Sequence, residues 1–133
     1  MKRIKLFVSL ALVAVVAVSC AFDEVDLGYP DTITFSADGG AKSVKGAAPF
    51  SYASIVNYKS GEQGRLIPSD DDRYKEGIMQ VEFGWLSVEH DDMLSATELR
   101  IVAKPNTTGK QRRLSIELYS GCEYHVITVV QQK

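Results

Sequence analysis

The sequence predicts an all-β chain, an antiparallel β-sandwich behind a cleaved leader, and three observations predict it. From residue 32 onward, short runs alternate apolar with polar residues. That period of two marks strands with one face buried and one solvated. Turn residues interrupt the runs at short intervals, as in a sandwich built from hairpins. No body segment repeats its apolar residues at a helical period, so helices should be few.

Residues 1–19 read as the leader. Lys2, Arg3 and Lys5 form a basic start, and Leu6 to Val18 is an apolar run of 13 residues broken only by Ser9. A lasting membrane span needs about 20 apolar residues, so a cleaved secretory signal fits better. Ala17-Val18-Ser19-Cys20 resembles the lipobox of bacterial lipoproteins, with Ala17 where that motif prefers Leu. The resemblance implies cleavage before Cys20 and acylation of its sulfur and amine. Each buried methylene contributes about 0.8 kcal/mol, so several chains anchor stably where one does not. Ordinary cleavage near Ser19, leaving Cys20 as a thiol, is the alternative.

Residues 20–30 read as a lipidated tether, without clear period and ending in Gly28-Tyr29-Pro30. Asp23, Glu24 and Asp26 resemble the acidic patch behind the lipidated cysteine of surface-exported Bacteroidetes lipoproteins; a soluble spacer fits equally. Residues 31–133 form the sandwich. Thr32 to Phe35 alternates and turns at Asp38-Gly39-Gly40, and Ala41 to Lys45 follows. Ser51 to Tyr58 is rich in aromatic and β-branched residues, and Arg65 to Ile67 ends at Pro68. Pro68 to Glu76 is a polar loop, or one helical turn capped by Ser69. Met79, Val81 and Phe83 share a face; Leu86 and Val88 take the other parity, with Gly84 as a bulge or turn between. Leu99, Ile101 and Ala103 face inward, as do Leu114, Ile116 and Leu118, which leaves Ser115, Glu117 and Tyr119 toward solvent. Tyr124 to Val130 is apolar enough to be buried on both faces.

Removing the leader takes three of the 15 basic residues and none of the 17 acidic ones, leaving a formal charge of −5. Such a chain lacks the basic footprint of a nucleic-acid binder. With Cys20 acylated, Cys122 is a lone thiol near a turn, and His125 falls on the opposite strand face, so a catalytic pair is not expected.

Four segments resemble the BACON (Bacteroidetes-associated carbohydrate-binding) domains. These are Ile33 to Gly40, an opening strand with a Gly-Gly turn; Gly84-Trp85-Leu86-Ser87-Val88; Ile101 to Gly109 followed by Arg112-Arg113; and Val126 to Gln132, a closing strand ending in Gln. The resemblance implies an immunoglobulin-like sandwich and a role in binding carbohydrate or mucin. Ala48 to Asp72 departs from the pattern, with Phe50 and Tyr52 where the family often has Trp.

Glu89-His90-Asp91-Asp92 and Asp70-Asp71-Asp72 could offer oxygen or nitrogen to a metal, but neighbours in a strand diverge and calcium wants six to eight ligands; solvated charge is the simpler reading. No Ser-His-Asp signature, phosphate loop or CxxC pair appears, so neither catalysis nor a cofactor is expected. Trp85 either closes one end of the core or stands as an exposed sugar platform. Tyr58, Tyr74 and Tyr119 are the further candidates for ligand contact. Asp31-Thr32-Ile33 matches a Bacteroidetes O-glycan acceptor pattern at Thr32, whereas Asn106 serves turn chemistry after Pro105. The expected function is non-catalytic binding of a glycan or glycoprotein by an envelope protein lipid-anchored at the outer membrane, surface-exposed or periplasmic. Docking on another envelope protein is the alternative.

Overall fold

The expected alternation is realised in ten strands. A computed structural model describes residues 21–92 and 95–133. The strands are β1 (Asp23–Glu24), β2 (Thr32–Phe35), β3 (Gly40–Phe50), β4 (Tyr52–Val56), β5 (Arg65–Leu66), β6 (Ile78–Phe83), β7 (Leu86–Asp91), β8 (Ala96–Ala103), β9 (Arg112–Ser120) and β10 (Glu123–Gln131). They form two five-stranded sheets. One runs β1-β10-β9-β4, with β2 also against β10; the other runs β3-β8-β7-β6-β5. Among the described residues there is no helix, and the leader with Cys20 lies outside them.

The two inner faces make one core. Ile55, Ile116, Leu118, Ile127 and Val129 of the first sheet meet Phe50, Leu86, Val88, Leu99 and Ile101 of the second, all 0–1% exposed. Burying such side chains stabilises the fold by about 1.5–3 kcal/mol each. The hairpins explain the parity change at Gly84. Phe83 pairs with Leu86 across a two-residue loop, Gly84-Trp85, whose Gly has φ 54°. Gly at the first central position is the pattern of a type II′ turn, which suits the strand twist. Gly121-Cys122 repeats the device between Ser120 and Glu123, with φ 61° at Gly121.

Three expectations are corrected. The tether is part of the domain. Asp23–Glu24 and Thr32–Phe35 pair with β10 in parallel, at its start and its end, so the sandwich is not wholly antiparallel. Between these contacts the chain dips inward, and Leu27 and Tyr29 are 7% and 4% exposed. Its polar groups are matched by distant partners. The Leu27 N–H donates to His125 Nδ1 at 3.0 Å, the Leu27 carbonyl accepts from Ala47 and Ala48, and the Tyr29 hydroxyl donates to the Ala48 carbonyl at 2.9 Å. Tyr29 needs Gly46: a Cβ there would stand 2.2 Å from the ring. β3 outruns its expected end at Lys45, and its register with β8 shifts between Lys45 and Phe50. Cys122, expected as a lone thiol, is disulfide-bonded. Glu117, expected in solvent, is 8% exposed.

His90 points into the core rather than toward a metal-binding loop, while Glu89 faces outward to Arg100 and Lys75. Its Nδ1 lies 2.8 Å from the Asp91 carbonyl and its ring meets Phe50 edge-on at 4.9 Å. Donation from Nδ1 leaves the buried Nε2 without a partner among the described residues. Burial lowers the imidazole pKa below its ordinary 6.5, outweighing the opposing pull of the Asp91 carbonyl and of Asp91 and Asp92. The unfolded ring therefore takes a proton more readily than the folded one. The stability that neutral His90 contributes is complete above the ordinary value and is lost as pH falls below it toward the lowered one. Denaturant melts between about pH 7.5 and 5.5 should show that decline, and His90→Gln should flatten it; an equally steep variant would assign the decline elsewhere.

Candidate functional site

Commitment of Leu114, Ile116 and Leu118 to the core turns Arg113, Ser115, Glu117 and Tyr119 to the outer face of the first sheet. The neighbouring strands fill in that face. β4 sets Tyr52 beside Tyr119 and Ser54 beside Glu117, and β10 sets Tyr124 beside Tyr119 on the other side. Cross-strand partners share a face, so three tyrosines form a row. Tyr52 stacks on Tyr119 with centroids 4.7 Å apart and planes 10° apart, Tyr124 lies 5.7 Å away at 30°, and Phe22 meets Tyr119 edge-on at 5.7 Å. Phe22, Tyr52 and Tyr58 remain 56%, 45% and 58% exposed.

Glu117 anchors this row. The Tyr58 hydroxyl donates to Oε2 at 2.6 Å, the Tyr119 hydroxyl to Oε1 at 2.8 Å, and the Ser54 hydroxyl to Oε1 at 3.3 Å. Three neutral donors thus replace the water that the covering rings exclude. Burial first, and then the hydrogen bond to Glu117, hold the Tyr58 and Tyr119 phenols well above the ordinary value of 10. Beside Tyr58 the sheet opens into a groove of about 640 Å³, lined by Asn57, Lys59, Gln111, Arg113, Ser115 and Thr128 among others.

The other two candidates lie on the opposite side of the sandwich. Tyr74 and Trp85 line a groove of about 480 Å³ on the outer face of β6, β7 and β8, beneath the loop from Pro68 to Glu76. That loop carries turns and no helix. It is clamped by Arg73, which binds Asp71 at 2.9 Å and Glu82 at 2.6 Å, and by Arg65 on Glu82 at 3.2 Å. Arg73 is the chief cause of the lowered pKa of both carboxylates. Trp85 joins its two readings: it is half-buried against the core, and the Arg112 guanidinium lies 4.8 Å above its ring. Arg112 is itself held by the Gln131 side chain and the Lys104 and Pro105 carbonyls. Thus the structure joins Tyr58 with Tyr119 and Tyr74 with Trp85, and it does not join the two pairs.

Thr32 is exposed on β2, beside Thr128. Asn106 is buried, and its amide donates to the Lys110 and Gln132 carbonyls while its oxygen accepts from Thr108. It fastens a turn to the chain end, as expected from turn chemistry.

Residues 80–132 match the BACON family, described as "Putative binding domain, N-terminal". This part of the chain is BACON-like. It contains the Trp85 hairpin, all of β7 to β10, and three members of the outer-face cluster, Glu117, Tyr119 and Tyr124. A solved structure, the NMR structure of a protein from Bacteroides thetaiotaomicron, superposes with a TM-score of 0.50 at 16% identity, covering 86% of this chain and 92% of that one. The likeness concerns fold. No curated protein matches the chain.

Tyr52, Tyr124, Glu117 and Lys59 were not legible as site residues. One signal was available for Tyr124: a two-residue loop at Gly121-Cys122 necessarily sets Tyr124 opposite Tyr119. Replacing Glu117 with Gln exchanges charge-assisted hydrogen bonds for neutral ones and should cost about 1 kcal/mol. It should also let the phenols of Tyr58 and Tyr119 ionise at lower pH. A denaturant melt and an alkaline absorbance titration check both, and an unchanged titration would remove Glu117 as the anchor of the row.

Proposed function

We propose that this protein is a non-catalytic glycan-binding module held at the cell envelope. The observation that carries the reading is the exposed tyrosine row on the first sheet, beside an open groove with polar walls. Sugar rings present apolar C–H faces that stack on aromatic rings and hydroxyls that need donors and acceptors, and this face offers both. The match of residues 80–132 to a family described as a binding domain supports the coarser part of the reading. Both carboxylate oxygens of Glu117 already accept hydrogen bonds, which suits a fixed scaffold better than a proton-transferring group. A second reading, docking on another envelope protein, draws on the exposure of Phe22, which lies against Tyr119.

A shallow site of this kind implies dissociation constants of roughly millimolar to micromolar, about −4 to −8 kcal/mol. A glycan array on the purified protein should give a signal that Tyr58→Ala abolishes and Tyr58→Phe largely keeps, since both variants lose the hydrogen bond to Glu117 and only the first loses the ring. An array without signal for the folded wild type would shift the proposal to envelope docking.

The envelope address rests on the leader and on Cys20. The expected mature chain begins at Cys20, carries acyl groups and sediments with membranes, and Cys20→Ser releases it or leaves the leader uncut. The sequence holds only Cys20 and Cys122, so a disulfide from Cys122 within one chain and acylation of the Cys20 sulfur exclude each other, and intact mass decides between them: a mature chain without acyl mass refutes the anchor.

A further inference from the structure

The groove beside Tyr58 is lined by cations and by no acid. Lys59 and Arg113 are both exposed on its walls. Neither takes part in an ion pair among the described residues, whereas Arg65 and Arg100 on the second sheet and Arg73 and Lys75 in the loop over it are all engaged by Asp71, Glu82 or Glu89. Arg112, the third cation at the groove, has its guanidinium committed to Gln131, two backbone carbonyls and the Trp85 ring. Glu117, the nearest acid along β9, does not line the groove and is enclosed by the Tyr58, Tyr119 and Ser54 hydroxyls.

Two unpaired cations therefore face an open cleft on a chain whose body carries a formal charge of −5. The overall charge opposes an anionic ligand at long range, but salt screens it beyond about 10 Å at 0.1 M. Inside the groove the local pair governs. An arginine fork matches the planar oxygens of a carboxylate or the tetrahedral oxygens of a sulfate, and lysine adds a point charge.

We propose that the groove binds a sugar bearing an acidic group, a carboxylate or a sulfate, with Arg113 and Lys59 on the acid and Tyr58 against the ring. Asn57, Gln111 and Thr128 supply polar edges for the remaining hydroxyls. This rests on the glycan reading and specifies the chemistry of its ligand.

Affinity electrophoresis of the purified protein tests it with three polymers: polygalacturonate for carboxylate, chondroitin sulfate for sulfate and dextran as a neutral control. Retardation by either acidic polymer, at least tenfold stronger than by dextran and weakened by salt, is expected. The double variant Lys59→Gln/Arg113→Gln should lose most of it with an unchanged melting temperature. Lys45→Gln, exposed on the other sheet, should bind as the wild type does. Equal retardation by dextran, unaltered in the double variant, would overturn the acidic-ligand inference and leave the glycan reading standing. Equal loss in Lys45→Gln would show diffuse attraction and overturn the site. No retardation by any of the three, together with a silent array, would take down the glycan reading itself.

Discussion

The register between β9 and β10 governs the molecule. Nine consecutive pairs, from Arg112 with Gln131 to Ser120 with Glu123, run without a bulge. A slip of one residue would exchange the faces of every side chain on the strand. It would put Glu117 and Arg113 in the core and expel Ile116 and Leu118. The large apolar penalty of that exchange holds the register, and everything else is placed relative to it. β4 docks on one side of this pair, while β1 and β2 share the other edge. The inner face becomes half of the core. The outer face becomes the tyrosine row, Glu117 and the groove.

How far this was legible in the sequence follows from the range of the forces involved. Alternation is local, so the inward sets Leu99-Ile101-Ala103 and Leu114-Ile116-Leu118 could be read directly and are buried as expected. Parity gives direction but not cover. Glu117 does face outward, yet Tyr58 and Tyr119 close over it, and Tyr58 arrives from 59 residues away. The segment before Pro30 was misread for a related reason. Its partners are His125, Ala47 and Ala48, and parallel pairing with β10 leaves no hairpin signature nearby. Asp23, Glu24 and Asp26 fit an acidic export patch or a soluble spacer and are exposed, but Leu27 and Tyr29 after them carry the packing.

Trp85 shows how a turn can divide one residue between two roles. The two-residue loop holds it at the mouth of the sandwich, where one part of the ring meets the core and Arg112 lies over it. The Arg112 guanidinium is fixed from behind by Gln131 and two carbonyls. A sugar stacking where that guanidinium lies would have to displace it, giving up a cation–π contact and several hydrogen bonds. The BACON-like segment thus contains an aromatic residue whose accessible chemistry is largely committed to closing the fold.

The tyrosine row differs in the balance of order already imposed. A flexible aromatic side chain loses rotamer freedom when a ligand stacks on it, and that loss weakens binding. Tyr58 is well exposed, but its hydroxyl is held on Glu117, and Tyr119 is held on the same carboxylate and stacked on Tyr52. Their ordering cost is met by folding, before any ligand arrives. A buried carboxylate without a cation is ordinarily unfavourable, and here three hydroxyls offset its desolvation. The arrangement makes chemical sense if the row serves as a rigid platform: Glu117 fixes its inner side, and the groove at Lys59 and Arg113 supplies polar contacts at its margin.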